Sequence, residues 1–135
     1  MARVTFGSSC WKVNDFSLGG AALGGTLICK SGGTAWIVAP GTAEVQRTWY
    51  DRDDAVTTAE ANAACGDWFV PSLGQLQNPG YTCRTYWDSY SSTSYWSNTQ
   101  HSNATAWCMS FNDGNTYGTN KTLPICVRAF RCVTY

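Results

Sequence analysis

The sequence predicts an α+β fold, a single domain of antiparallel strands with two short helices. Three observations carry that prediction. Runs rich in β-branched residues and Trp surround Gly-rich turns in the first forty residues, two helix-start signatures follow, and period-two alternation returns beyond residue 94. No internal repeat interrupts this order.

RVTF and WKVNDF read as strand pieces near the N-terminus, followed by SLGGAALGG. Four Gly within residues 19–25 argue against a helix there and mark either a flexible connection or tight packing. GTLICK, the turn SGG and TAWIVAP then form a hairpin, closed by Pro40-Gly41. Thr57 with Glu60 makes a capping box and Gly66 stands where a left-handed stop belongs, which predicts a helix over 57–65. Val56, Ala59 and Ala63 give it a small-residue face suited to close approach. DWFV is strand-like until Pro71. Ser72 with Gln75 is a second capping box, and Asn78-Pro79-Gly80 ends that helix near residue 77.

In Thr105-Ala-Trp107-Cys-Met109-Ser-Phe111 the bulk falls on odd positions, the pattern of a half-buried strand. Asn112-Asp113-Gly114-Asn115 reads as a hairpin turn of type I′, and residues 116–119 return from it. Residues 125–133 read as one final strand, apolar on both faces and therefore central.

The totals exclude several function classes. The chain has 135 residues, enough for one domain with a core, and its apolar content excludes the disordered class. Only 13% of its residues are charged, against a usual ~25%, and nine basic side chains balance nine acidic ones. Nucleic acid is an unsuitable partner, because phosphate binding needs a basic patch. No run approaches the length of a membrane span, so membrane insertion is not expected, and the start MARVTFGSSCW has no apolar signal core. The seven Cys stand at 10, 29, 65, 83, 108, 126 and 132, with no CxxC and a single His. Zinc spacings are thus absent. Buried thiols and disulfides formed after release into an oxidising medium both remain open, and the odd count leaves one thiol over unless it pairs between chains. On one straight strand Cys126 and Cys132 would lie ~20 Å apart, too far to bridge.

Residues 86–107, YWDSYSSTSYWSNTQHSNATAW, combine three Tyr and three Trp with Ser, Thr and Asn and carry one Asp as their only charged side chain. Tyr with Ser and Asn is the composition of binding loops, but three Trp are more apolar surface than a solvated linker carries.

GGTAWIVAP, WYDRDDAVTTAEANAACGDWFVPSLGQL, YWSNTQHSNATAW and NKTLPICVRAFRCV, in that order, resemble the bacterial and phage domain of unknown function found at the C-terminus of the Legionella collagen-like protein. The resemblance spans about residues 19–133 and rests on order and spacing, since no single motif is specific. It implies a C-type-lectin-like fold over 19–135, with 1–18 as an N-terminal arm for assembly or anchoring. It places Trp96 and Trp107 in the core and the residues from Tyr86 to Ser94 in the long loop where such domains hold ligands. The second helix is shorter than the family's, no EPN loop exists, and Phe111-Asn112-Asp113-Gly114 only echoes the WND strand of calcium-dependent lectins. With Asp88 and Asp113 as the only carboxylates in this half of the chain, no metal site and no cofactor are expected.

The site expected from these residues is one exposed aromatic and amide face made of Tyr86, Trp87, Tyr90, Asn98, His101 and Asn103, with Asn112, Asn115 and Tyr117. It would take a neutral polar ligand such as a glycan through ring stacking and hydrogen bonds. His101 and the acids near the first helix do not form a catalytic pattern, so an enzyme of the formylglycine-generating type is the weakest expectation and the chain reads as no enzyme. The leading expectation is a phage virion surface protein, a tail-fibre tip or head fibre, made in the host cytoplasm without a signal peptide. It would bind a host glycan or receptor and assemble with itself, as a trimer, or with other virion chains. The alternative is a decoration or cement subunit without a ligand.

Overall fold

A computed structural model describes residues 17–22, 24–63 and 67–134. The expected N-terminal arm therefore lies outside the described residues except for Ser17 and Leu18, as do Cys10, Cys65 and the Gly66 stop. The described residues form an α+β unit with nine strands in two sheets and two short helices.

The first sheet has the order β1 (Ala21–Ala22), β2 (Gly25–Ser31), β3 (Thr34–Val38), β9 (Phe130–Thr134), all antiparallel. The β2–β3 hairpin forms as its sequence predicts. Ser31 pairs with Thr34, and Gly32 and Gly33 both take positive φ, +58° and +85°, as a two-residue type I′ turn requires. The Gly-rich run is tight packing at Gly25, where an added Cβ would stand 2.2 Å from the Val38 carbonyl oxygen.

The second sheet has the order β4 (Val45–Arg47), β8 (Ile125–Val127), β5 (Ser94–Gln100), β6 (Thr105–Ser110), β7 (Thr116–Asn120). Only the β5–β8 pair is parallel. The β6–β7 connection is not type I′, because Gly114 alone takes positive φ (+82°); its N–H donates to the Ser110 carbonyl over a longer turn.

Helix α1 spans Asp54–Ala63. It starts a turn earlier than expected, with Thr57 inside it and the Thr58 hydroxyl donating back to the Asp54 carbonyl at 2.7 Å. Carboxylates favour a helix N-terminus, and Asp53-Asp54 supply that charge ahead of the Thr57–Glu60 pair. Ala55 and Ala59, one turn apart, are buried. Helix α2, Leu73–Gln75, has both halves of its capping box: Ser72 Oγ accepts from the Gln75 N–H at 3.2 Å, and Gln75 Oε1 accepts from the Ser72 N–H at 2.9 Å. Wider helical turns continue over Leu76–Tyr81, interrupted by Asn78 in extended geometry.

The expected final strand over 125–133 is instead two strands in different sheets. Residues 128–129 carry the chain from β8 to β9, and the Ala129 carbonyl accepts from the Ala39 N–H at 2.9 Å. The run is apolar on both sides because both sheets cover it, which from sequence is indistinguishable from a central strand. Cys126 and Cys132 consequently sit in different sheets.

Two cores result. The first joins Leu27, Ala35 and Ile37 to Trp96, Ala106, Cys108 and Val127, with Trp49, Trp68 and α1 packed against them. The second joins Ile28, Val38 and Phe130 to Tyr95, Met109, Phe111 and Trp87. Both faces of β6 are covered, Ala106 and Cys108 by the first core and Met109 by the second, and Cys108 stands directly across from Trp96, a small residue beside a large one. Trp96 is fully buried as expected, whereas Trp107 is half-buried and meets the His101 ring edge-on at 4.5 Å.

Candidate functional site

The loop leading into β5 is held by a buried cation. Arg128 is 2% exposed, and its guanidinium donates to three elements at once: the Ala39 carbonyl at 2.8 Å, Glu44 Oε1 at 2.8 Å and Asp88 Oδ1 at 2.6 Å. Such a fork suits a guanidinium, whose donors are fixed in one plane. Asp88 also accepts from the Gly41 N–H at 2.9 Å, and the guanidinium lies 5.1 Å over the Trp87 ring. Tyr95 completes the tie: its hydroxyl donates to Glu44 Oε1 and accepts from the Ser91 N–H at 2.7 Å. Burial, then the hydrogen bond to Glu44, push the Tyr95 phenol far above its ordinary range, so it stays neutral.

Beyond this tie, Thr93 and Ser94 form one wall of a cleft of about 280 Å³ whose other sides are Gln46, Tyr117, Thr119, Pro124, Ile125 and Cys126. Strand register explains the gathering. Ser94 and Trp96 share a face of β5, Trp96 stands opposite Cys108, and Cys108 stands opposite Tyr117, so Ser94, Tyr117 and Thr119 project on the same side. The Ser94 and Tyr117 hydroxyls bond at 2.5 Å, the Ser91 and Thr93 hydroxyls at 2.7 Å, and Cys108 Sγ lies 3.0 Å from Thr119 Oγ1. Thr93 Oγ1 lies 3.8 Å from Cys126 Sγ. None of the lining side chains is formally charged. Burial pushes both the Cys108 and the Cys126 thiol up, with the Glu44 carboxylate adding to the effect on Cys126. Neither is therefore an activated nucleophile at neutral pH. What the cleft offers is hydroxyls and an amide that can both donate and accept, beside a Tyr ring that is 43% exposed.

The residues expected to form one face are distributed over several places. Trp87 is the clearest correction: it is 6% exposed, its Nε1–H donates to the Gly80 carbonyl at 3.2 Å, and Tyr95, Phe111 and Phe130 surround it. It is a core residue under the loop, because a Trp flanked by Arg128 and Phe130 gains more from burial than a loop position suggests. Tyr90 is exposed and leans on Phe111 at 5.7 Å, near the Asn112 to Asn115 turn, and Tyr86 is exposed beside Gly19. Asn98 is exposed and accepts from Arg52 Nε at 2.6 Å. His101 folds over Gly118, where a Cβ would come within 2.7 Å of the ring, and its Nδ1 pairs with Thr105 Oγ1 at 2.7 Å. Asn103 offers its carbonyl to Lys121 Nζ at 2.9 Å. Tyr117 and Gly118 point to opposite sides of β7, so Tyr117 and His101 lie on different faces of the sheet.

Of the expected residues, only Tyr117 lines the hydroxyl cleft. Gln46 and Thr119 were not expected there, whereas Thr93 and Ser94 end the loop in which the resemblance expected ligands to be held. The period-two spacing of Tyr117 and Thr119 is the sequence signal that links two of them. A second cleft of about 370 Å³ is lined by Asp53, Val56, Thr57, the segment Trp68–Val70 and Asn98, and unlike the first it carries a carboxylate. Among the described residues no three His, Cys, Asp or Glu side chains converge as a metal site would require, and no helix is long and apolar enough to cross a membrane. No protein-family model and no curated protein matches this chain.

Proposed function

We propose that the chain is a receptor- or glycan-binding module of a phage virion surface, with a C-type-lectin-like fold, and that the hydroxyl cleft beside Tyr117 is its sugar site. The observation that carries this reading is the chemistry of that cleft: Gln46, Thr93, Ser94 and Thr119 surround a neutral hollow with Tyr117 at its rim and Ile125 among its walls. Neutral sugars gain little from Coulomb attraction, so they need ring stacking and groups that both donate and accept hydrogen bonds. The α+β architecture with two sheets and the ordered motif resemblance support the fold assignment. The loop tie through Arg128 supports a preorganised wall, which lowers the ordering cost of binding.

The decoration-subunit reading draws on Tyr86 and Leu18, exposed on either side of Gly19, where a neighbouring chain could cover them. A glycan array probed with labelled protein separates the two. The expected result is binding to neutral saccharides that changes little with salt and falls at least tenfold in Tyr117→Ala but not in Tyr86→Ala. Binding confined to anionic glycans, or none at all, would overturn the reading.

A further inference from the structure

The side chains of Cys29 and Cys83 meet on the second core, and a break in strand β2 is what brings them together. β2 pairs with β3 through Leu27 with Ile37 and then Cys29 with Trp36, so two steps of β2 stand against one of β3. Such a bulge breaks the alternation of side chains. In an unbroken strand Cys29 would share the face of Leu27, which points into the first core. Instead Cys29 packs with Ile28 and Trp36 against the second core, where Cys83 also packs. Cys83 is fixed there by its backbone: its N–H donates to the Pro79 carbonyl at 2.9 Å, and its carbonyl accepts from the Tyr86 N–H at 3.0 Å. Both side chains pack on the same cluster, the Cys83 thiol is near enough to bear on the Cys29 thiol, and each keeps part of its surface in solvent. Both are free thiols in this structure.

We propose that Cys29 and Cys83 are a disulfide site that closes when the folded chain meets an oxidising medium, pinning the loop that carries Tyr86 and Tyr90 to β2. Oxidised glutathione is a sufficient oxidant. One protein thiolate attacks a glutathione sulfur and releases the first glutathione thiolate. The second protein thiolate attacks the mixed disulfide and releases the other. One S–S bond forms between the two Sγ atoms, the S–S bond of glutathione breaks, and two electrons and two protons pass from the protein thiols to two glutathione thiols. Burial, and then the neighbouring Cys83, raise the Cys29 thiol above its ordinary value, so closure accelerates as the pH rises. The bond would close a loop of about 55 residues, long enough that restricting the unfolded chain should raise the Tm by about 10 °C.

The test equilibrates full-length protein with oxidised glutathione, alkylates it with N-ethylmaleimide, digests it without reduction and identifies linked peptides by mass spectrometry. A peptide pair joining Cys29 to Cys83 is expected, together with a Tm gain that dithiothreitol reverses and that Cys83→Ser lacks. Recovery of both residues as alkylated or glutathione-capped thiols overturns the proposal. So does a bond from Cys29 to any other Cys, or a full Tm gain in Cys83→Ser. If Cys83→Ser does not fold, the linked-peptide result on the wild-type chain decides alone.

Discussion

The loop Trp87–Thr93 and the turn His101–Thr105 are built from similar residues, an aromatic ring followed by Ser, Thr and a few small side chains, yet they are held in opposite ways. The loop is tied to groups outside it: Asp88 reaches across the fold to Gly41 and Arg128, while Trp87 and Ser91 bond to Gly80 and Tyr95 on either side. The hydrogen bonds of the turn's side chains stay within it, Thr105 accepting or donating to His101 and Ser102, while Lys121 donates to its backbone and the His101 ring rests on Gly118 and Trp107. Local composition therefore does not determine how a polar loop is held. One buried cation forty residues away does so here, by giving Asp88 a partner it could not find locally.

The comparison breaks first at Trp87. Trp87→Ala should remove about 3–5 kcal/mol of stability in urea denaturation, the range for deleting a large core aromatic, whereas a surface loop Trp would cost little. Arg128→Met comes next. It leaves Glu44 and Asp88 without their cation, and because Asp88 is partly solvated the expected loss is about 3 kcal/mol, at the low end for a broken buried pair. Proteolysis should then cut within residues 88–93, which the intact tie protects.

Tyr95→Phe should cost about 1 kcal/mol at neutral pH, one hydrogen bond with its buried partner. The pH dependence has a definite sign. The folded phenol is raised above the unfolded value of 10.0, so its contribution is fully present below pH ~10 and is lost as the pH rises above it. Stability of the wild-type chain should fall above pH ~10, and Tyr95→Phe should fall less steeply over the same window. The smallest effect is expected at the turn: His101→Ala should change stability by about 0.5 kcal/mol, because the ring is exposed where it meets Trp107 and Gly118.

Local signals made much of this fold legible. The Gly32-Gly33 hairpin and the Ser72–Gln75 capping box could be read directly, since a turn or a cap is decided by a few adjacent residues. Trp96 was placed in the core by a motif. What could not be read depends on partners far along the chain. The strand over 125–133 divides because two sheets compete for it, and Trp107, unlike Met109 on the same face of β6, lies outside the second core and beside His101. The candidate site illustrates the same limit. Tyr117 was singled out for its chemistry, but Ser94 joins it through the register of β5, β6 and β7, and Gln46 through the pairing of β4 with β8 beside β5. Of the nine expected ligand residues only Tyr117 lies on β7; the others fall in the segment before β5, on β5 itself and in two separate turns, and Trp87 turns into the core.

The most direct test of the account maps the contact surface. A ¹⁵N-labelled sample titrated with a panel of neutral tetrasaccharides should show amide shift changes concentrated at Thr93, Ser94, Tyr117 and Thr119, the residues that line the hydroxyl cleft. Changes centred on Asn98, His101 and Asn103, or no changes with any neutral saccharide, would contradict it.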